Sequence, residues 1–381
     1  MGNQIKFLQG LKIIDMTRVL AGPFASMILA DLGAEVIKIE GPRNPDETRN
    51  YAPKKNGLSS YFESININKT GKCLDLESST DRPELDDLIR SSDVIIHNFL
   101  PKVVDKLKLN YETLHEINRK LIYVSISAYS EKSKKFGIPG YDIIMQGETG
   151  LLSVTGTDED NLCRVGNSTV DIYTGYMTVI MILSALLKKK NDENFDGMKI
   201  NIPLFNCGIF SMTYLFPYFS LTSMNPSPLG ISHPGIVPYQ KFDTEDASII
   251  IAVANNNIWD RFVNIEYFKE LSKDPRFATN EERVKNRSVL SNLIQKELMK
   301  NKSGFWLDIF QKMGIPSGKI NKISDIVTDP EMIKNGDIFP KSIQGIPFVF
   351  PSFPVLINGD FIDFYKMGAP IKCENKNVSP E

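Results

Sequence analysis

Histidine is scarce in this chain: three in 381 residues, His97, His115 and His233. That leaves little material for a multi-histidine metal centre. Cysteine is sparse too. Cys73, Cys163, Cys207 and Cys373 show no C-x-x-C spacing, so neither a zinc ribbon nor a redox pair is suggested, and they read as free thiols in a reducing compartment. Neither sign of charge dominates. The formal net charge of -2 and the lack of a long basic block argue against a nucleic-acid surface. The short run Lys188, Lys189, Lys190 reads as a solvated helix end. The apolar stretch IYTGYMTVIMILSALL (172–187) falls short of the roughly 20 residues a spanning helix needs and carries Thr, Gly and Tyr, so it reads as a buried core helix.

The N-terminal MGNQIKFLQGLKIIDM lacks the regions of a signal peptide, and Lys6 stands where a myristoylation signal wants Ser or Thr. NVSPE at the C-terminus is not a peroxisomal address. Cytoplasm is the expected compartment. No G-x-G-x-x-G follows the first apolar run, which speaks against a nicotinamide oxidoreductase.

What is there alternates. LKIIDM (11–16), EVIKIE (35–40), SDVIIHNF (92–99) and LIYVSISAY (121–129) are β-type runs. FASMILADLG (24–33), PELDDLIRSS (83–92) and YETLHEINRK (111–120) have helical spacing. Strand, helix and strand within about 30 residues is a βαβ unit, and its repetition predicts an α/β fold with a parallel sheet covered on both faces. INIPLF (200–205) continues as a strand turning into a helix. Residues 216–239, rich in Pro, Ser and Gly, read as a linker or functional loop. A new alternation starts at SIIIAVANNNIWDRF (248–262), and helical patterns dominate 259–314. The expected organisation is a large Rossmann-like domain over 1–224, completed by 331–381, and a small α+β domain over 225–330.

Asp171 opens the apolar helix. By spacing alone it reads as an N-terminal cap.

Several longer segments resemble a known family. RVLAGPFASMILADLGAEVIKIE (18–40), SYFESININKTGKCLDL (60–76), SDVIIHNFLP (92–101), GYDIIMQGETGLLSVTG (140–156), VGNSTVDIYTGY (165–176), HPGIVPYQKFDTEDASIIIAVANNNIWDRF (233–262) and DPRFATNEERVKNR (274–287) are similar, in order, to the family III CoA-transferases and the related α-methylacyl-CoA racemases. The resemblance implies a Rossmann-like domain with a smaller inserted domain, two chains interlocked as rings in a homodimer, CoA thioesters as substrates, and no prosthetic group or metal. It places the family's nucleophilic carboxylate at Asp171. It implies Val19, Leu20 and Ala21 along the CoA thiol arm, with Asn98 and Phe99 beside them. Arg43, Arg49, Lys69, Lys72 and Lys106 become candidates for the phosphates and adenine. Tyr141 and Asp142 fall where the acid substrate binds. Gly230 and Gly235 are candidates for oxyanion N–H donors.

Three departures matter. The loop holding Gly230 and Gly235 lacks the consecutive glycines of formyl-CoA transferase, which weakens a formyl/oxalyl substrate pair. Leu100 stands where Arg is frequent, and AYSEKSKKFG (128–137) replaces a Gly-rich turn. The racemases carry Gly-His-Asp where this chain has Gly140-Tyr141-Asp142. A Tyr with an unperturbed pKa near about 10 is a poor base at neutral pH, so transfer is favoured over racemisation. The expected reaction moves CoA from a donor such as succinyl-CoA to a free carboxylic acid through an aspartyl anhydride. The alternatives are a 2-methylacyl-CoA racemase and a CoA-binding protein without turnover. No nucleic acid or membrane is expected as a partner.

Overall fold

The computed structural model describes residues 7–361 and Ala369. Cys373, the N-terminal motif through Lys6 and the C-terminal NVSPE lie outside the described residues. The chain divides into two compact units. The first runs to Leu152, continues over Arg164–Asn225 and resumes at Pro330. The second comprises Ser153–Cys163 and Pro226–Asp329. Residues 153–163, which the sequence reading put in the larger domain, therefore belong with the second unit.

The first unit is built on six strands: β1 (Lys12–Met16), β2 (Glu35–Glu40), β3 (Thr70–Cys73), β4 (Val94–His97), β5 (Ile122–Ser127) and β6 (Met198–Pro203). Their spatial order is β3-β2-β1-β4-β5-β6. Every pairing is parallel, with Ile13 opposite Val94 and Met16 opposite His97 at the centre. This is the doubly wound order that reverses between β1 and β4. The two central strands have both faces covered. Ile13, Val94 and Ile96 belong to one apolar core, whereas Ile14, Met16 and Ile95 belong to the other. That is why they read as unbroken apolar runs rather than alternations.

The helices of the first unit up to residue 225 are α1 (Ala21–Asp31), α2 (Ser60–Asn66), α3 (Arg82–Arg90), α4 (Pro101–Lys106), α5 (Tyr111–Ile117), α6 (Asp142–Glu148), α7 (Thr169–Asn191), α8 (Leu204–Ser211) and α9 (Leu215–Thr222). α1 and α7 share the first core through Ala25, Leu29, Val170 and Ile182; α3 and α5 share the second through Leu85, Ile89 and Leu114. Two glycines permit close approach. A Cβ on Gly175 of α7 would stand 2.7 Å from the Phe24 ring and 3.0 Å from the Ala21 carbonyl oxygen. A Cβ on Gly22 would overlap the Thr17 side chain at 2.3 Å.

α7 is longer than its apolar run suggested and is long and apolar enough to cross a membrane by length and composition. Its inner face, including Val170, Thr174, Val179 and Ile182, is buried in the first unit. The linker reading of 216–239 needs correction, because α9 takes up its first residues. The thiol reading also changes: Cys163 and Cys207 are free, but Cys73 is disulfide-bonded.

The second unit has a three-stranded antiparallel sheet of β7 (Tyr239–Asp243), β8 (Ser248–Ala252) and β9 (Ser317–Lys319), with β8 in the middle. Its core is aromatic. Phe262 of the helix Asn256–Val263, Phe268 of the 3-10 helix Glu266–Lys273, and Trp306 and Phe310 of the helix Ser303–Lys312 pack ring against ring.

Candidate active site

In a doubly wound sheet, ligands bind beyond the strand C-termini where the order reverses. Here that point lies between the ends of β1 and β4, and a cavity of about 830 Å³ opens there. Val19, Leu20 and Ala21 line it from the β1–α1 turn, and Asn98 and Phe99 line it from the end of β4.

The turn is held by a buried network of charges. Asp15 accepts from the Thr17 backbone N–H at 2.8 Å, from Ser26 Oγ at 2.6 Å and from Lys69 Nζ at 3.0 Å. Lys38 Nζ donates to the Thr17 carbonyl at 2.8 Å and pairs with Asp46 at 3.1 Å. The Val19 N–H donates to Asp46 Oδ1 at 3.3 Å. The Arg18 N–H donates to Asn98 Oδ1 at 3.0 Å, and Asn98 Nδ2 returns a bond to the Arg18 carbonyl at 2.8 Å. Asn98 thus ties the two strand ends together. The network holds Val19 at φ 69°, a left-handed conformation that costs a β-branched residue on the order of 1–3 kcal/mol.

Asp171 reaches the same cavity from the first turn of α7. It is not the cap. Asp142 is: its Oδ1 accepts the Val170 N–H at 2.8 Å and the Asp171 N–H at 3.3 Å, and its Oδ2 accepts from Gln146 Nε2 at 2.5 Å. Asp142 is buried and is absent from the cavity lining. With the cap supplied by another residue, the Asp171 carboxylate has no hydrogen-bond partner among the described residues. Burial, followed by the like charge of Asp142, pushes its pKa up to about 7.

Tyr141 lines the cavity and is half exposed; its hydroxyl donates to Glu47 Oε1 at 3.3 Å. The Glu47 charge, with burial second, raises its pKa above the ordinary tyrosine value. His97, also in the lining, is pushed down to about 4 by burial and is neutral. Its Nδ1 accepts the Phe99 N–H at 3.3 Å, which leaves Nε2 to donate to the Tyr123 hydroxyl at 2.6 Å.

The cations divide into two groups. Arg43 and Lys106 line the cavity in exposed pairs, with Asp75 at 2.6 Å and Glu77 at 2.8 Å. Exposed pairs of this kind are worth at most about 1 kcal/mol, so both can exchange a carboxylate for a phosphate. Arg49, Lys69 and Lys72 are not in the lining. Arg49 is nearly buried and is spent on Glu40 and the Phe62 ring. Lys72 pairs with Glu84. Lys69 is fully buried and bonded to Asp15, the Pro23 carbonyl and Asn66, so it has no access to a phosphate.

Gly230 and Gly235 belong to the second unit. Their N–H groups are already used, by the Gly156 carbonyl at 2.7 Å and by His233 Nδ1 at 3.1 Å, which corrects the reading of both as free oxyanion donors. The sequence reading missed two cavity cations, Arg18 and Lys199. Arg18 bonds the Asn44 carbonyl at 2.9 Å and lies 5.7 Å from the centre of the Phe99 ring. Its place beside Val19 was the available signal. Lys199 pairs with Glu131 at 3.0 Å.

Residues 8–361 match the family described as CoA-transferase family III. The chain belongs to CoA-transferase family III. It is 32% identical over 368 residues to the acetyl-CoA:oxalate CoA-transferase of Acetobacter aceti, covering 95% of this chain and 92% of that one. It is 32% identical over 335 residues to the succinyl-CoA:glutarate CoA-transferase of Homo sapiens, covering 88% and 76%. Among solved structures, a CAIB/BAIF family protein from Brucella suis superposes with a TM-score of 0.84 at 32% identity, covering 96% of each chain. This family III CoA-transferase is therefore an enzyme whose substrates are CoA thioesters.

Proposed function

We propose that the enzyme moves CoA between carboxylic acids through covalent chemistry on Asp171, with succinyl-CoA as donor and a small dicarboxylate as acceptor. One observation carries the reading: a carboxylate with no hydrogen-bond partner lines the switch-point cavity, while a separate residue, Asp142, caps its helix. The acids named for related enzymes, oxalate, glutarate and mesaconate, are all dicarboxylic and support the acceptor class.

The cycle has four steps. Asp171 attacks the thioester carbonyl; a C–O bond forms, the C–S bond breaks and CoA thiolate leaves. The thiolate then attacks the Asp171 carbonyl of the mixed anhydride. The donor acid departs with an Asp171 oxygen, leaving an aspartyl-CoA thioester. The acceptor carboxylate attacks that thioester and again expels thiolate. The thiolate takes the new acyl group, and Asp171 is regenerated with one oxygen from the acceptor. Val19, Leu20, Ala21, Asn98 and Phe99 would hold the thiol arm, and Arg43, Lys106, Arg18 and Lys199 the phosphates.

The racemase alternative needs a base at Tyr141, and the Glu47 charge beside that phenol makes it a poorer one. A homodimer is part of the proposal. Its support is the apolar surface of α7 to α9 on the single chain, where Tyr176, Ile180, Phe210, Tyr214, Phe216 and Leu221 are exposed. So is a cytoplasmic location, against which the Cys73 disulfide counts.

Intact-mass spectrometry after mixing with succinyl-CoA tests the mechanism. Hydroxylamine quenching should convert Asp171 to a hydroxamate. A protein that binds CoA and gives no adduct at Asp171 would be a binder or a racemase, and deuterium uptake at the α-carbon of a 2-methylacyl-CoA separates those two.

The pH profile is a further expectation. Only the ionised carboxylate attacks, so kcat/KM for the acyl-CoA should rise about tenfold per pH unit below about 7 and level off above it. Asp142→Asn removes the like charge, favours the anion and should move the midpoint to lower pH. An unmoved midpoint would remove Asp142 from the account of Asp171.

A further inference from the structure

A second cavity, of about 240 Å³, lies in the same unit and borders the first. Leu20 lines both. Asp171 lines the first, and its neighbours on the chain, Ser168 and Ile172, line the second. Tyr61, Ser64 and Arg164 complete the part used here. The volume equals the liquid share of about eight water molecules, room for an acyl group of a few carbons.

Its chemistry is graded. Leu20, Ile65 and Ile172 are apolar. Tyr61 is hydrogen-bonded to Ser168, and burial and then the nearby Asp171 charge push its pKa up to about 12, so the phenol stays neutral and can donate. Arg164 is the one cation in the lining. Its Nη2 donates to the Gly166 carbonyl at 2.8 Å, and among the described residues its guanidinium meets no carboxylate. Most other cations around the site are paired: Arg43, Lys106, Lys199, Lys69 and Lys72 all have acidic partners. An arginine without an anion, in the lining of a small cavity that shares Leu20 with the Asp171 cavity, is suited to a planar anion held in bidentate fashion.

We infer that the second cavity holds the acyl chain of the acid and that Arg164 binds the far carboxylate of a dicarboxylic acid while its near carboxyl reacts at Asp171. The inference rests on the proposed transfer at Asp171 and names the specificity residue of that site. It orders the acids by length. Oxalate has no chain to cross from Asp171 into the second cavity, so a four- or five-carbon diacid gains the Arg164 contact and oxalate does not.

The test compares glutarate with pentanoate as acceptors from succinyl-CoA, and succinate with butyrate as acceptors from glutaryl-CoA. The wild type should prefer each diacid over the matching monoacid. Arg164→Met should lower the diacid-to-monoacid ratio of kcat/KM about 100-fold, and Arg164→Lys should restore part of it. Binding without turnover gives an independent readout: glutarate at millimolar concentration should raise the Tm of the wild type and not of Arg164→Met, and pentanoate should raise neither. A ratio unchanged in Arg164→Met, or a fall in CoA affinity that accounts for the whole loss, overturns the inference. If no acid accepts CoA and no adduct forms on Asp171, the transfer reading fails; glutarate stabilisation that depends on Arg164 would still show the carboxylate site, and its absence would end that as well.

Discussion

Replacing Asp171 by Asn should abolish CoA exchange and at the same time make the protein more stable at neutral and alkaline pH. The first effect follows from loss of the nucleophile and should exceed about 10⁴-fold in kcat, because the amide cannot form the anhydride. The second follows from the raised pKa. Asp171 titrates near 3.8 in the unfolded chain and at about 7 in the fold. Below 3.8 both states are protonated and the carboxyl costs nothing. As the pH rises from there through about 7, the unfolded chain ionises first and folding loses free energy; above about 7 the full loss remains. A shift of this size corresponds to roughly 4 kcal/mol at most, and the unpaired amide of the variant gives some of it back, so a net gain on the order of 1–3 kcal/mol is expected at pH 8. Denaturant unfolding of the two proteins at pH 8 and pH 4 checks it: the advantage of the variant should be largest at pH 8 and small at pH 4. A helix-capping Asp would behave differently: Asn caps as well as Asp, so stability would hardly change with pH or substitution while exchange continued.

The same residue shows how far the sequence could be read. That a carboxylate opens an apolar helix is visible in DIYTGY. Whether it caps the helix depends on Asp142, and no local pattern says that a residue on α6 reaches the first turn of α7. The strands of the sheet were legible because β1, β4 and β5 are covered on both faces and so are spelled as apolar runs. β3, a half-exposed TGKC at the sheet edge, has no such spelling. The order of the strands, and with it the position of the cavity, depends on pairings between distant segments. The family resemblance, together with the general rule that ligands sit at strand ends, pointed to Val19 and Asn98.

Cations were the least legible. A lysine in the sequence looks the same whether its ammonium faces a phosphate or a buried aspartate. Arg43 and Lys106 reach the cavity, Lys69 and Lys72 do not, and Arg18 and Lys199 were overlooked although Arg18 adjoins the turn. The two glycines failed for a related reason. A loop with Pro and Gly predicts available N–H groups, but Gly230 spends its own on Gly156, on a distant part of the chain.

Lys69→Met turns that difference into a measurement. Lys69 Nζ bonds Asp15 of β1, the Pro23 carbonyl of α1 and Asn66 of α2, so one ammonium joins three elements. Burial alone would raise the pKa of Asp15; Lys69 and then Lys38 hold it well below the usual range instead. Removing Lys69 leaves the carboxylate in the core with a weaker counter-charge, and breaking such a pair on one side costs about 3–5 kcal/mol. Denaturant unfolding should show that loss. The Asp15→Asn/Lys69→Met double variant should recover part of it, since the orphaned charge is then gone. CoA affinity of the folded fraction, and its dependence on salt, should hold near the wild-type values. Arg43→Met should do the reverse: its pair with Asp75 is exposed, so stability stays within about 0.5 kcal/mol while CoA binding weakens and loses part of its salt dependence. Should Lys69→Met keep its stability and lose CoA, the buried ion pair would be the wrong account and the phosphate contact the right one.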